Sequence, residues 1–150
     1  MKKTILIILC GVMVLGLIGC GKPKNEFDIG SKSNIKISQN DVTMTIKEGT
    51  LTNKSATLVL TNNSDKSFEY GTPYEIEVKK DGEWHKINVE LDFNMPAFQL
   101  SAKESNEIEL DWEYGYGRLA TGTYRIIKRI DYEYEEGKYE PFNVAVEFTI

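Results

Sequence analysis

Few side chains in these 150 residues have the chemistry to react or to ligate. Two are thiols, Cys10 and Cys20, one is the imidazole of His85, and the rest are carboxylates. The thiolate is a nucleophile and a soft metal ligand. No cysteine follows Cys20, so the body of the chain holds no cysteine nucleophile, no thiolate metal site and no internal disulfide. His85 has no serine or second histidine near it in sequence to build a relay. It alternates with Trp84 in "EWHKI", and with the indole taken as a core aromatic the imidazole turns to water, a surface residue. Acid–base work is left to carboxylate pairs, Asp111 with Glu113 or Glu133 with Glu135. Such pairs ordinarily work in a sizeable cleft, for which a body of about 110 residues has little room. The expectation is a protein that is not an enzyme and carries no cofactor.

The acids are densest in "DYEYEEGKYEP", Asp131 to Pro141, where Glu133, Glu135 and Glu136 mix with three tyrosines around Gly137. A hard cation takes carboxylate oxygens, but no EF-hand spacing is present. One reading is a long hairpin between the last two strands, its tyrosines paired across it and its acids solvated. The sharper reading is a partner-binding tip made of Tyr132, Tyr134, Glu135, Glu136 and Tyr139. Tyrosine offers large contact area at low entropic cost, and loops on a rigid scaffold often carry recognition. "WEYGYGRL", Trp112 to Leu119, lacks the strand-to-helix context of a phosphate cradle and reads as a turn. "NNSD", Asn62 to Asp65, is turn chemistry as well.

Cys20 sits where the chain changes character. Lys2 and Lys3 precede an apolar run from Ile5 to Gly19, after which the composition turns polar. A positive start, a short apolar stretch and a small-residue end are the parts of a secretory signal. As a helix the run rises about 22 Å, short of the ~30 Å hydrocarbon core. "LIGC", Leu17 to Cys20, resembles the lipobox of bacterial lipoproteins. The resemblance implies diacylglyceryl attachment to the sulfur and cleavage that makes Cys20 the first residue. At ~0.8 kcal/mol per buried methylene, two or more acyl chains anchor stably where one is marginal. The alternative is an ordinary secretory signal that contains a cysteine. Cys10 lies inside the apolar run and serves as one more apolar residue. The expected location is the extracytoplasmic face of the cell membrane, with residues 1–19 a signal peptide and residues 20–40 a lipidated cysteine and flexible tether.

Whole-chain charge is −5; without Lys2 and Lys3 the part from Cys20 keeps 16 basic against 23 acidic residues, or −7. A body this acidic, with no basic cluster, does not hold nucleic acid or anionic lipid by charge.

The elements that would position these groups follow from a period of two. Val42, Met44 and Ile46 share a face, as do Ala56, Leu58 and Leu60. Tyr74, Ile76 and Val78 alternate with acids and lysine before Asp81-Gly82, a type I′ hairpin signal. Ile108, Leu110 and Trp112 form another set, "GTYRIIKRI" a further strand, and Phe142 to Ile150 the last. Ile35 and Ile37 alternate with polar residues and allow a short edge strand. No stretch shows a helical period. The pattern predicts an all-β sandwich of seven to eight antiparallel strands over residues 41–150.

Two stretches strengthen that reading. "TNNSDKSFEYGTPYEIEVKKDGEWHKI" carries Asn62-Asn63, Tyr70-Gly71, Pro73-Tyr74 and Asp81-Gly82 with Trp84. "LDWEYGYGRLATGTYRIIKRI" carries Asp111-Trp112, Tyr116-Gly117, Leu119, Gly122 and Tyr124-Arg125. Together they resemble a bacterial immunoglobulin-like domain found in lipoproteins of Gram-positive bacteria. The resemblance implies the fold and the anchoring, and no particular activity. Independently, "LATGTY" has the form of a tyrosine corner at Tyr124, with Ile126 where antibody domains place a cysteine. The expected function is a lipid-anchored, non-catalytic module that binds a protein or glycan or spaces one from the membrane. Alternatives are an accessory subunit docked through an edge strand and a small carboxylate-dependent enzyme.

Overall fold

In the computed structural model, which describes residues 28–38, 41–94 and 96–150, two antiparallel sheets face each other across one core. The strands are β1 (Ile29–Lys32), β2 (Val42–Ile46), β3 (Ser55–Asn62), β4 (Phe68–Gly71) and β5 (Glu75–Lys80). After them come β6 (Glu83–Ile87), β7 (Ala97–Leu100), β8 (Ser105–Asp111), β9 (Thr123–Glu135) and β10 (Lys138–Thr149). A single helical turn, α1 (Glu113–Tyr116), follows β8. The smaller sheet runs β2-β3-β8; the larger runs β1-β6-β5-β9-β4-β7, with β10 on β9.

Ten strands appear among the described residues where seven to eight were expected. The additions are β1, β4 and β7, each four residues long and too short to display a period. The period-two faces meet as anticipated. Leu58, Leu60, Ile76, Leu100, Trp112, Ile126 and Ile130 are all below 2% exposed. Asp81 (φ 52°) and Gly82 (φ 83°) both take the positive angles that a type I′ hairpin requires. Tyr124 donates its hydroxyl to the Ala120 carbonyl at 2.9 Å and stacks on Phe148.

β9 organises the larger sheet. β10 pairs along its whole length on one edge. On the other edge β5 pairs with residues 124–127 and β4 with residues 130 and 131. Chain 71–74 between those two ladders makes no strand pair with β9, and there Lys128 turns its ammonium onto the carbonyls of Gly71 (2.8 Å), Thr72 (3.4 Å) and Pro73 (3.1 Å).

The face of this sheet turned away from the core is also partly buried. Alternation puts Glu77, Trp84, Arg125 and Ile127 there. Arg125 binds one carboxylate oxygen of Glu77 through Nη2 (2.6 Å) and Nε (2.8 Å), and the Glu77 side chain is fully buried. Trp84 is half-buried over the Arg125 guanidinium at 4.7 Å, so it is a lid on this ion pair and not the core aromatic expected. Its outward turn reverses the expectation for His85, which pairs with Val78 on the inward face, half-buried, Nδ1 3.3 Å from the Gly30 carbonyl.

Residues 28–38 depart from the flexible-tether reading. β1 adds to the β6 edge, Ser33 donates its amide to the Trp84 carbonyl (2.7 Å), and Ser38 donates its amide to Asn143 on β10 (2.9 Å). The chain thus straps the outer face from one edge to the other, with Ser33 Oγ 3.4 Å from Arg125. Unpaired backbone on the β6 edge and half-buried Ile35 and Ile37 give this segment reason to dock.

Arg125→Met leaves the Glu77 carboxylate buried without its partner and lowers unfolding stability by about 3–5 kcal/mol in urea titration. Glu77→Leu combined with Arg125→Met recovers most of that loss, since neither charge is then buried alone. Tyr124→Phe loses one hydrogen bond, about 1 kcal/mol by the same measurement.

Candidate functional site

The β9–β10 hairpin runs beyond the β4 ladder, where its strands pair only with each other. Gly137 (φ 71°) makes its turn and donates its amide to Glu133 Oε1 at 2.8 Å. Lys138 pairs with Glu135 at 2.7 Å. Tyr134 and Tyr139 are 55% and 44% exposed, and Glu135 and Glu136 are exposed beside them. Tyr132 behaves differently: its ring lies 5.6 Å from Phe68, with the Lys66 ammonium 4.5 Å above it. The tyrosines do not pair across the hairpin as expected. Register sets Tyr139 against Glu133 and Tyr132 against Glu140. The negative charges of Glu133 and Glu69 raise the Tyr139 phenol, which keeps it a neutral donor.

The carboxylates of the expected pairs each have another partner. Asp111 accepts the Glu113 amide (2.9 Å), while the Glu113 carboxylate sits between Lys54 (3.2 Å) and Arg118 (2.8 Å). Hydrogen bonds from those two cations lower its pKa. Glu133 and Glu135 are engaged with Gly137 and Lys138. Among the described residues no group of three His, Cys, Asp or Glu is placed to hold a metal ion.

A second region was not anticipated from sequence: adjoining hollows, one where β8 faces β4 and β7, the other lined from β5, β6 and the residues after β6. Two cavities, of about 460 and 300 Å³, share Tyr74 and Phe93 in their walls. Tyr74 meets Phe93 edge-on at 5.4 Å and Tyr116 at 6.1 Å. Tyr116 accepts the Ile76 amide on its hydroxyl (3.0 Å), and burial pushes both phenols up to about 12. "WEYGYGRL" supplies this wall. At Gly115 a Cβ would stand 2.1 Å from the tip of the Leu91 side chain, so any larger residue there displaces that leucine. The opposite wall includes Phe98, 42% exposed and stacked on Tyr70 at 5.5 Å. Phe93 and Phe98 come from residues 88–104, an aperiodic stretch in which they are the two aromatics, one on each side of Pro96.

Cys20 lies outside the described residues. Within them no helix is long and apolar enough to cross a membrane.

Two packed antiparallel sheets, a corner at Tyr124 and Trp112 buried beneath Phe148 define an immunoglobulin-like sandwich. A family model for the bacterial Ig-like domain matches residues 38–149, and the chain belongs to that family. No curated protein and no solved structure matches the chain.

The buried Lys128 predicts a pH response. Desolvation lowers its pKa to about 8 from 10.5. Between those values the unfolded chain binds a proton that the folded chain does not, so stability rises with pH. Above about pH 10 the buried phenols reverse the sign, because the folded protein then keeps protons the unfolded chain loses. Urea titrations are expected to show a net gain of about 1 kcal/mol from pH 8 to 10, and a fall beyond. Lys128→Met removes the rise and, by stripping three carbonyls of their donor, lowers stability at every pH.

Proposed function

We propose that this chain is a lipid-anchored, extracytoplasmic interaction module without catalysis of its own. The observation that carries the binding half is the hairpin tip. It holds Tyr134 and Tyr139 exposed among carboxylates on a strand pair that extends a rigid sheet. A two-stranded lever with aromatic faces and acidic edges suits a partner with a cationic, partly apolar surface. Membership of the bacterial Ig-like domain family is consistent with binding or spacing, and fold by itself does not choose the partner.

Anchoring rests on "LIGC" at residues 17–20. Docking of β1 changes what such an anchor does. With residues 29–38 on the sheet, the leash from Cys20 to Asp28 is eight residue steps, at most about 28 Å when fully extended. A lipidated Cys20 would therefore keep the domain within one domain-width of the bilayer. This favours a partner that is itself at the membrane surface over a long-reach spacer role.

Two measurements test the halves separately. Mass spectrometry of the native membrane-extracted protein should find an acylated Cys20 as the first residue, and Cys20→Ser should leave the leader attached or release the protein. An unmodified thiol there ends the anchoring reading. Photo-crosslinking in cells from a probe at position 136 should give a discrete adduct. Tyr134→Ala with Tyr139→Ala should reduce it at least tenfold without lowering the melting point. An adduct indifferent to both tyrosines removes the tip from the binding surface.

A further inference from the structure

β8 is an edge strand with unusable symmetry for its own kind and a ready complement for another. Among the described residues it pairs with β3 alone. Which of its backbone groups are free follows from register. Asn62 donates its amide to Glu104, and Trp112 donates its amide to Lys54, so the even-numbered residues of this ladder are the hydrogen-bonded ones. The N–H and C=O groups of Glu107 and Glu109 therefore point away from β3, and both residues line the 460 Å³ cavity. Asp111 obeys the same rule: its carbonyl faces outward and accepts the Tyr74 hydroxyl at 3.4 Å.

Two latches bound this free edge. At one end Asn106 donates to the Gln99 carbonyl (3.0 Å) and to the Tyr70 hydroxyl (3.1 Å). At the other stands the Tyr74–Asp111 contact. Between them, one side of the edge opens on apolar surface from Ile108, Phe93 and Phe98; the opposite side carries the exposed acids Glu107 and Glu109. Lys47 answers Glu107 at 2.8 Å, and no ion pair to Glu109 is present among the described residues. A second copy of β8 laid on this edge would set acids against acids.

We infer that this edge takes an extended segment of a protein partner whose residues alternate apolar and basic. Added beside β8, such a segment pairs its backbone with Glu107 and Glu109. It sends every second side chain into the aromatic cleft and sets the intervening lysines or arginines against the acids. A glycan would satisfy the acids but has no backbone ladder to meet the outward amides. This surface is distinct from the hairpin tip, so it deepens the interaction-module reading without depending on the tip.

The test uses the full-length protein in detergent and three synthetic, end-blocked heptapeptides. The first is KVKVKVK, the second the same with alternate backbone nitrogens methylated, the third EVEVEVE. Saturable binding of the first is expected, weakened at least tenfold by methylation and absent for the third. Glu109→Pro removes an outward N–H while leaving the β3 ladder whole, and should weaken the first peptide at least tenfold at an unchanged melting point. The methylated peptide decides the matter if that variant does not fold. No saturable binding up to millimolar peptide, or binding indifferent to methylation, overturns the inference. So does self-association of the protein that Glu109→Pro abolishes. Because Tyr134→Ala with Tyr139→Ala should leave peptide binding intact, failure here and failure of the tip are told apart.

Discussion

The amine of Lys128 holds together a break in the larger sheet, where β9 passes from β5 to β4. β9 must accept β5 and β4 on the same edge, and two of its residues, Lys128 and Arg129, stand opposite four, Gly71 to Tyr74. A gap of that kind strands carbonyl groups in the interior. Pro73 has no N–H to strand, and a single ammonium answers the carbonyls of Gly71, Thr72 and Pro73. Burying a cation is costly, which is why its pKa falls to about 8. Leaving three carbonyls unanswered would cost more, at about 1–3 kcal/mol each. The consequence reaches the cleft. The break fixes Tyr70 on one side of it and Tyr74 on the other, and the Thr72 hydroxyl donates to Asn94 to hold the loop that carries Phe93.

On the opposite face a similar economy operates with a different partner. Arg125 and Glu77 neutralise each other, yet an ion pair out of water contributes little net stability. Its effect is positional. The guanidinium gives Trp84 a reason to face outward and gives Ser33 a polar contact, so the strap of residues 33–38 has one register in which to lie. Ile127 is buried on that same face and lies outside the inter-sheet core. The segment leading to the candidate anchor is thereby part of the fold.

How much of this could be read from residues alone depends on how local the cause is. Alternation in Ala56-Leu58-Leu60 or Val144-Val146-Phe148 is a property of the strand itself, and those faces were legible, as was the Asp81-Gly82 hairpin. β4 and β7 were not, because four residues offer two inward positions and no period. Trp84 misled because apolar area argues for the core, whereas a cation held by β9 on the outer face draws an indole out. Lys128 occupies an inward position between Ile126 and Ile130. Nothing within β9 announces the carbonyls more than fifty residues earlier that make lysine acceptable there. The acidic tyrosine hairpin was visible as composition; the cleft was not, since its walls come from four separated stretches.

The two candidate surfaces share a sign, and that constrains their use. Hairpin tip and β8 edge are both acidic on a body already at −7, so copies of this protein repel at the very edges where sheets otherwise aggregate. Repulsion of that kind is short-ranged, with a Debye length of about 8 Å at physiological salt. It acts at contact and does little at a distance. On the proposed anchor, many copies would share one membrane plane at high local concentration, the condition in which unprotected edges pair most readily. Acids on the free edge then serve both ends: they prevent β8 from meeting itself and they leave its amides open to a strand of opposite charge. A neutral edge could have done only one of these.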